Sequence, residues 1–234
     1  MVRENAEQVM GRLSSVRRLS SGSVRLDSLL GGGYAPGMLV ELFGRSNSGK
    51  SQAAMQAVAV AAMGGQSAVY IDSEGAFRPE RVKSIAAARG SREEELLDRI
   101  VYVRVRTAAA QMDAVRALAG RHETAGCRLV VVDTLTRNFT LDYPGGTNLA
   151  RRQGALDVHL SEMARDAVLH CRSYLLTNRV TFGSSGDTSI GGSTLGQLVH
   201  ASIQLAKQRE TVTVTMTGPK PVVVESRLSE RGLE

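Results

Sequence analysis

Two cysteines, Cys127 and Cys171, are too few for a disulfide framework in a chain of 234 residues. They suit a reducing compartment and are expected as buried free thiols. No apolar run approaches the ~18 residues of a transmembrane helix. The opening MVRENAEQVM has none of the apolar core of a secretory signal. The expectation is therefore a cytoplasmic protein with no membrane partner. Internal repeats and low-complexity blocks are lacking, and so is a linker long enough to set off a second domain. Lysine is scarce too: Lys50, Lys83, Lys207 and Lys220 are the only ones, so arginine supplies the rest of the 29 basic residues. The net charge of +6 favours an acidic partner such as nucleic acid.

What is present describes a folded α/β globule. Hydrophobic residues make up 42% and charged residues 22%, which argues against disorder. Ala6, Val9, Met10 and Leu13 mark one face of a short N-terminal helix. A second short helix is expected over Val24–Leu30. The chain then alternates. Apolar strands read at Leu39–Phe43, Ala68–Ile71, Ile100–Val103, Leu129–Val132 and Ser173–Leu176. Helices read at Lys50–Met63, Pro79–Ala88, Ala108–His122 and Leu149–Leu169. Alternation with nearly continuous apolar strands predicts a mostly parallel central sheet flanked by helices. The tail turns β-rich at Ile203–Ala206, Val212–Met216 and Val222–Glu225, as antiparallel strands added to one sheet edge.

Gly44, Arg45, Ser46, Asn47, Ser48, Gly49, Lys50 and Ser51 fit G-x-x-x-x-G-K-[ST] between a predicted strand and a predicted helix. Such a loop turns backbone N–H groups onto phosphate oxygens, and the helix N-terminus adds partial positive charge. Lys50 would reach the β/γ-phosphates of ATP, and the Ser51 hydroxyl would hold Mg²⁺. Asp133 follows Arg128 and the four apolar residues Leu129–Val132. It would hold the metal through water at the carboxyl end of its strand, where open α/β sheets bind ligands. A second carboxylate position follows Ala68–Ile71. By position either Asp72 or Glu74 could orient and deprotonate the attacking water.

These residues carry a family resemblance. Tyr70–Arg81 reads YIDSEGAFRPER and resembles the Y-I-D-T-E-G-T-F-R-P-E-R signature of the RecA/RadA recombinases. Gly49-Lys50-Ser51-Gln52 resembles the family's G-K-T-Q. Leu175–Val180, Ile190–Gly192 and His200–Ser202 resemble its I-T-N-Q-V and G-G…H-A-S segments. The likeness runs from about residue 19 to the C-terminus. It implies an N-terminal segment of residues 1–18 and a RecA-like ATPase core over residues 19–234. The ending Glu225–Gly232 resembles the close of the short archaeal paralogue RadB. By matching position the resemblance makes Glu74 the water-activating residue. It adds Gln52 to the nucleotide site, puts Arg81 on the adenine face and lets Pro221 cover adenine from a neighbouring subunit. It brings His200 toward the γ-phosphate across a subunit contact.

The departures from the family pattern shape the functional expectation. Arg179 replaces the sensor glutamine, so charge would read the γ-phosphate. In loop one, Phe139–Arg152, Thr140 and Gly146 stand where DNA-contacting arginines are expected. Arg151, Arg152, Phe139 and Tyr143 remain as candidate DNA contacts. Loop two, about Thr181–Thr188, has Asp187 as its one charge and Phe182 as its one aromatic. The family's N-terminal helical DNA-binding domain has no counterpart in residues 1–18. The F-x-x-A subunit-docking motif, near Arg3–Ala6, lacks its phenylalanine. These losses favour an accessory RadB-like protein of DNA repair and homologous recombination. It would bind single- and double-stranded DNA weakly and without sequence preference, hydrolyse ATP slowly near the nucleoid and assist the main recombinase, with a homo-oligomer as a further candidate assembly. The alternatives are an active DNA-dependent ATPase of homologous pairing and strand exchange, and a nucleotide switch unconnected with DNA.

Overall fold

The computed structural model describes residues 4–91, 94–118, 126–183 and 186–234. The apolar runs become β1 (Leu39–Phe43), β2 (Ser67–Asp72), β3 (Ile100–Arg104), β4 (Cys127–Asp133) and β5 (Ser173–Asn178). They pair in parallel in the order β1-β5-β4-β2-β3. Their sequences lack polar alternation because both sheet faces are covered. Val40, Leu42, Tyr70, Leu129, Val131 and Leu175 enter one core cluster. Leu39, Val69, Ile71, Val130, Val132 and Leu176 enter the other.

The helices are α1 (Ala6–Ser14), α2 (Val24–Leu29), α3 (Lys50–Met63), α4 (Pro79–Ala88), α5 (Ala108–Ala117), α6 (Arg137–Asp142), α7 (Leu149–Leu169) and α8 (Gly192–Leu198). Asn5 caps α1 through a reciprocal bond pair with Gln8. Helix α3 is alanine- and valine-rich and buried over most of its surface, as expected of a helix that is apolar all round. Its buried Gln56 donates to the carbonyls of Ser21 and Leu233 at 3.0 Å and accepts the Leu233 N–H. That amide fastens the C-terminal end of the chain to the helix behind the phosphate loop. Pro79 opens α4, where its missing N–H costs nothing. Helix α7 buries Leu156, His159, Leu160, Met163 and Ala167, the three-and-four spacing of one helix face. The helix expected at Ala108–His122 ends at Ala117, and residues 119–125 lie outside the described set.

The tail supplies β8 (Ala201–Gln208), β9 (Thr211–Met216), β10 (Val222–Ser229) and β11 (Gly232–Leu233). Among the described residues the sheet has nine strands, in the order β11-β10-β9-β8-β1-β5-β4-β2-β3. The expected antiparallel tail needs one correction. Strand β8 runs parallel to β1, and only the β8-β9-β10-β11 pairings are antiparallel. The chain passes through α8 back to the starting edge of β1 before β8 begins, and such a crossover gives a parallel neighbour.

Two segments expected as loops are partly ordered. Residues 137–142 of loop one form α6, so the open part begins at Tyr143. Loop two is a hairpin of β6 (Val180–Gly183) and β7 (Gly186–Ser189). Residues 184 and 185 lie outside the described set, and Phe182 is placed by its backbone in β6. Of the two thiols, Cys127 is buried and Cys171 is only half-buried. Among the described residues no helix is long and apolar enough to cross a membrane.

Candidate functional site

The carboxyl ends of β1, β5, β4 and β2 meet along one edge of the sheet. Phe43 is level with Asn178, and Asp133 with Asp72. The phosphate loop, residues 44–49, leaves β1 at this edge and enters α3. Gly49 carries a φ of +101°, and a Cβ there would press on Leu228 at 2.9 Å. A Cβ on Gly44 would collide with the Leu205 carbonyl. Both positions need glycine for the loop to close against the C-terminal strands. Asn47 also adopts a positive φ, and Ser46 is exposed at the loop tip.

Lys50 is buried at the helix start. Its ammonium donates to the carbonyls of Gly44 at 2.8 Å and Arg45 at 2.7 Å. Burial pulls its pKa below the usual lysine value; Asp133 and Glu74 oppose that pull, and Arg179 adds to it. The four charges thus share one electrostatic site. A cleft of about 620 Å³ adjoins the loop, between Lys50, Ser51 and Gln52 on one side and Arg81, Lys207 and Leu228 on the other. Buried ammonium, half-buried Ser51 hydroxyl and basic cleft fit a nucleotide polyphosphate. Among the described residues no group of three or more His, Cys, Asp or Glu converges on a metal position. One hydroxyl and one carboxylate, Ser51 and Asp133, would fit a Mg²⁺ that retains waters and uses phosphate oxygens.

The three carboxylates have different environments. Asp133 is buried, accepts from the Tyr70 hydroxyl at 2.6 Å, and also accepts from the Thr177 hydroxyl. One hydroxyl thus holds each carboxylate oxygen. Asp72 is buried and faces its own loop. It accepts the backbone N–H groups of Glu74, Gly75, Ala76 and Phe77 and the Tyr102 hydroxyl at 3.2 Å. Its lone pairs are committed to shaping residues 74–77. Glu74 is the part-exposed carboxylate this turn presents to the site. Its Oε1 accepts from the Thr134 hydroxyl at 3.0 Å.

Arg179 reaches the same oxygen. Its Nη2 and Nε donate to Glu74 Oε1 at 2.7 and 3.1 Å. A second ion pair links Arg45 of the phosphate loop to Asp187 of β7, at 2.6 and 3.1 Å. Between them Asn178 donates to Glu41, Ser189 and the Ile190 carbonyl. Glu41 lies buried in mid-β1, and burial pushes its pKa up; Ser189, Ser202 and Asn178 hydrogen-bond it. The β6–β7 hairpin is therefore fastened to the phosphate site at both ends.

Other expected site residues fall elsewhere. Arg81 lies in the cleft, where it donates to the Ser229 carbonyl at 2.8 Å and faces the Gln52 amide. His200 occupies the opposite edge of the sheet, where its Nδ1 accepts the Leu39 N–H at 3.1 Å. Pro221, exposed in the turn between β9 and β10, belongs to the same far edge. Neither approaches the phosphate loop of its own chain. Arg151 is exposed and Arg152 half-buried in the first turn of α7, with Arg152 donating to the Tyr143 carbonyl at 3.3 Å. Tyr143 is half-buried. Phe139 is a correction: it is fully buried in α6 against the His159 ring, 5.5 Å between centroids, and offers no face for base stacking.

Sequence reasoning missed Thr134, Thr177 and Tyr70, which orient the two site carboxylates, and Lys207, Leu228 and Ser229, which wall the cleft. Thr134 directly follows Asp133, and Thr177 is one residue before the strand-ending Asn178; a polar residue ending an apolar strand is a usable signal. The cleft wall is not legible locally, because it arrives from the far end of the chain.

The chain matches the Rad51 family over residues 12–229. A DNA repair and recombination protein RadA of Ignicoccus hospitalis is 32% identical over 237 residues, spanning 94% of this chain and 72% of the relative. A DNA repair and recombination protein RadA of Metallosphaera sedula is 34% identical over 218 residues, spanning 88% of this chain and 67% of the relative. With the phosphate loop, the strand-end carboxylates and the nine-stranded sheet in place, the chain belongs to the Rad51 family.

Proposed function

We propose that this chain is an ATP-binding protein of DNA repair and homologous recombination that acts as a RadB-like accessory to the main recombinase. The observation that carries the nucleotide reading is the buried Lys50 ammonium, curled onto the carbonyls of its own glycine loop beside a basic cleft. Lys50 and the loop N–H groups hold the β/γ-phosphates. Ser51, and Asp133 through water, hold Mg²⁺, which supplies charge neutralisation on the phosphate oxygens. Arg81 and Gln52 flank the adenine end, while His200 and Pro221 face the site of a neighbouring copy. Glu74 accepts a proton from water as the water oxygen bonds to the γ-phosphorus and the bond to the bridging oxygen breaks, giving ADP and phosphate.

The accessory role is supported by Thr140 and Gly146 in place of arginines and by the missing docking phenylalanine. DNA contact then rests on Arg151, Arg152 and Tyr143, and is electrostatic and weak. The second reading, an active strand-exchange ATPase, is favoured by the complete set Lys50, Ser51, Glu74 and Asp133. ATP turnover with and without single-stranded DNA, beside strand exchange with and without the main recombinase, separates the two. The accessory reading expects slow turnover, and strand exchange only when the main recombinase is added. Strand exchange by this chain alone supports the second reading.

A further inference from the structure

Strand β1 reads Leu-Val-Glu-Leu-Phe, and Glu41 is its one polar residue. The side chain is 1% exposed. Among the described residues no charged group is hydrogen-bonded or ion-paired to it. Helix α8, which lines the cavity beside it, carries no charged residue. The His200 ring lines the same cavity, but its Nδ1 is held by the Leu39 N–H. Asp187 of the hairpin is paired to Arg45. A carboxylate without a counter-ion persists in a sheet core only where hydrogen bonds replace its water. Three do so here. Ser189 and Asn178 donate to Oε1, the amide at 2.8 Å, and Ser202 donates to Oε2.

The two oxygens serve different elements. Ser202 lies on β8, opposite Glu41 in the sheet ladder. Ser189 lies on β7, in the separate two-stranded sheet of the hairpin. Asn178 stands between hairpin and strand. Its Oδ1 accepts the Arg179 N–H at 2.9 Å and the Thr136 hydroxyl at 2.6 Å. A backbone N–H can only donate, so the amide is oriented and Nδ2 must face the other way. There it reaches Glu41, the Ser189 hydroxyl at 2.9 Å and the Ile190 carbonyl at 2.6 Å. Oε1 is therefore the point at which the hairpin joins the strand that runs into the phosphate loop.

We propose that Glu41 is the positioning residue of the β6–β7 hairpin: its Oε1 sets where the segment expected as loop two stands against the phosphate loop, and its Oε2 plays no part in holding it. A proton on Oε2 only reverses the Ser202 bond, because a hydroxyl accepts as well as donates. The Ser202 hydrogen then turns into the cavity of about 380 Å³ that Glu41, Ser189 and Ser202 line. Oε1 stays an acceptor and keeps both of its bonds. A hairpin placed in advance spends less ordering entropy when it meets a partner. Neither nucleotide nor DNA has to be bound for this placement.

Amide hydrogen exchange in residues 180–183 and 186–189 of the unliganded protein tests the assignment, with β1, β5 and β8 as internal references. Ser189→Ala should speed hairpin exchange about tenfold or more, the effect of losing a hydrogen bond to a charged acceptor, and leave the reference strands unchanged. Ser202→Ala removes the same group from the other oxygen and should leave the hairpin as in wild type. Glu41→Leu should speed hairpin exchange at least as much as Ser189→Ala. Glu41→Gln should keep wild-type protection, because its amide oxygen replaces Oε1 and its NH₂ group can face Ser202. Equal effects of the two serine variants on the hairpin, wild-type protection in Glu41→Leu, or hairpin exchange in Glu41→Gln as fast as in Ser189→Ala would each overturn the proposal. Should Glu41→Leu fail to fold, the two serine variants and Glu41→Gln decide.

Discussion

The Asp72 carboxylate accepts the backbone N–H of Glu74 at 2.9 Å, so one acidic residue builds the turn that presents the other. Of two carboxylates only two positions apart, Asp72 shapes the turn and Glu74 is presented by it. Replacing Asp72 by alanine leaves the turn donors of residues 74–77 short of an acceptor. The expected loss is ~2–4 kcal/mol of unfolding free energy, discounted for donors that water can reach. Glu74→Gln keeps the turn and should change stability by less than ~1 kcal/mol. Denaturant unfolding of both variants checks the division; equal losses would contradict it.

The Arg45–Asp187 pair joins the phosphate loop to the β6–β7 hairpin across a solvent-exposed gap. Exposed pairs hold local geometry more than global stability. Asp187→Asn should speed amide hydrogen exchange in residues 180–183 and 186–189 while the melting temperature stays near wild type. Unchanged exchange there would show that Asn178, Ser189 and Glu41 hold the hairpin alone.

His159 is buried between α7 and α6, and burial, reinforced by Arg116, pushes its pKa down to about 3. The ordinary value is 6.5. Between these values the unfolded chain binds a proton that the folded chain refuses, so stability falls as pH drops from about 6.5 toward 3. Relative to a His159→Gln variant, wild type should lose ~1 kcal/mol per pH unit between pH 6 and 4. Parallel pH profiles for the two proteins would contradict a neutral buried imidazole.

Single-stranded DNA titrations at several salt concentrations test the nucleic-acid surface. With Phe139 buried, the proposed DNA surface would depend mainly on phosphate contact. The Arg151→Ala/Arg152→Ala double variant should bind more weakly, with a salt slope shallower by about 1.4, the value for two lost phosphate contacts on a single strand. A variant with wild-type affinity and slope would place the DNA surface elsewhere.

Much of this architecture is legible in the chain because its signals are local. Helix α3 is bounded by Gly49-Lys50 and Gly64-Gly65, and its Ala/Val filling fixes both ends. The phosphate loop and Asp133 are read from motif and strand-end position. Other features depend on where distant segments arrive. Residues 137–142 form a short helix because Phe139 finds a pocket beside His159 on α7, which no six-residue window reveals. The direction of β8 depends on the return path through α8. The choice between Asp72 and Glu74 turns on backbone N–H groups that converge only once the turn after β2 has formed. The Arg179–Glu74 pair brings together two residues whose separation in sequence gives no hint of contact.

Phosphate release from Mg²⁺-ATP by wild type, Lys50→Ala and Glu74→Gln, with ATP retention measured on the same samples, tests the central claim most directly. The account predicts slow wild-type turnover, loss of binding or turnover in Lys50→Ala, and a fall of ~10² or more in Glu74→Gln with ATP still bound. Wild-type turnover in Glu74→Gln, or unchanged binding and turnover in Lys50→Ala, would contradict it.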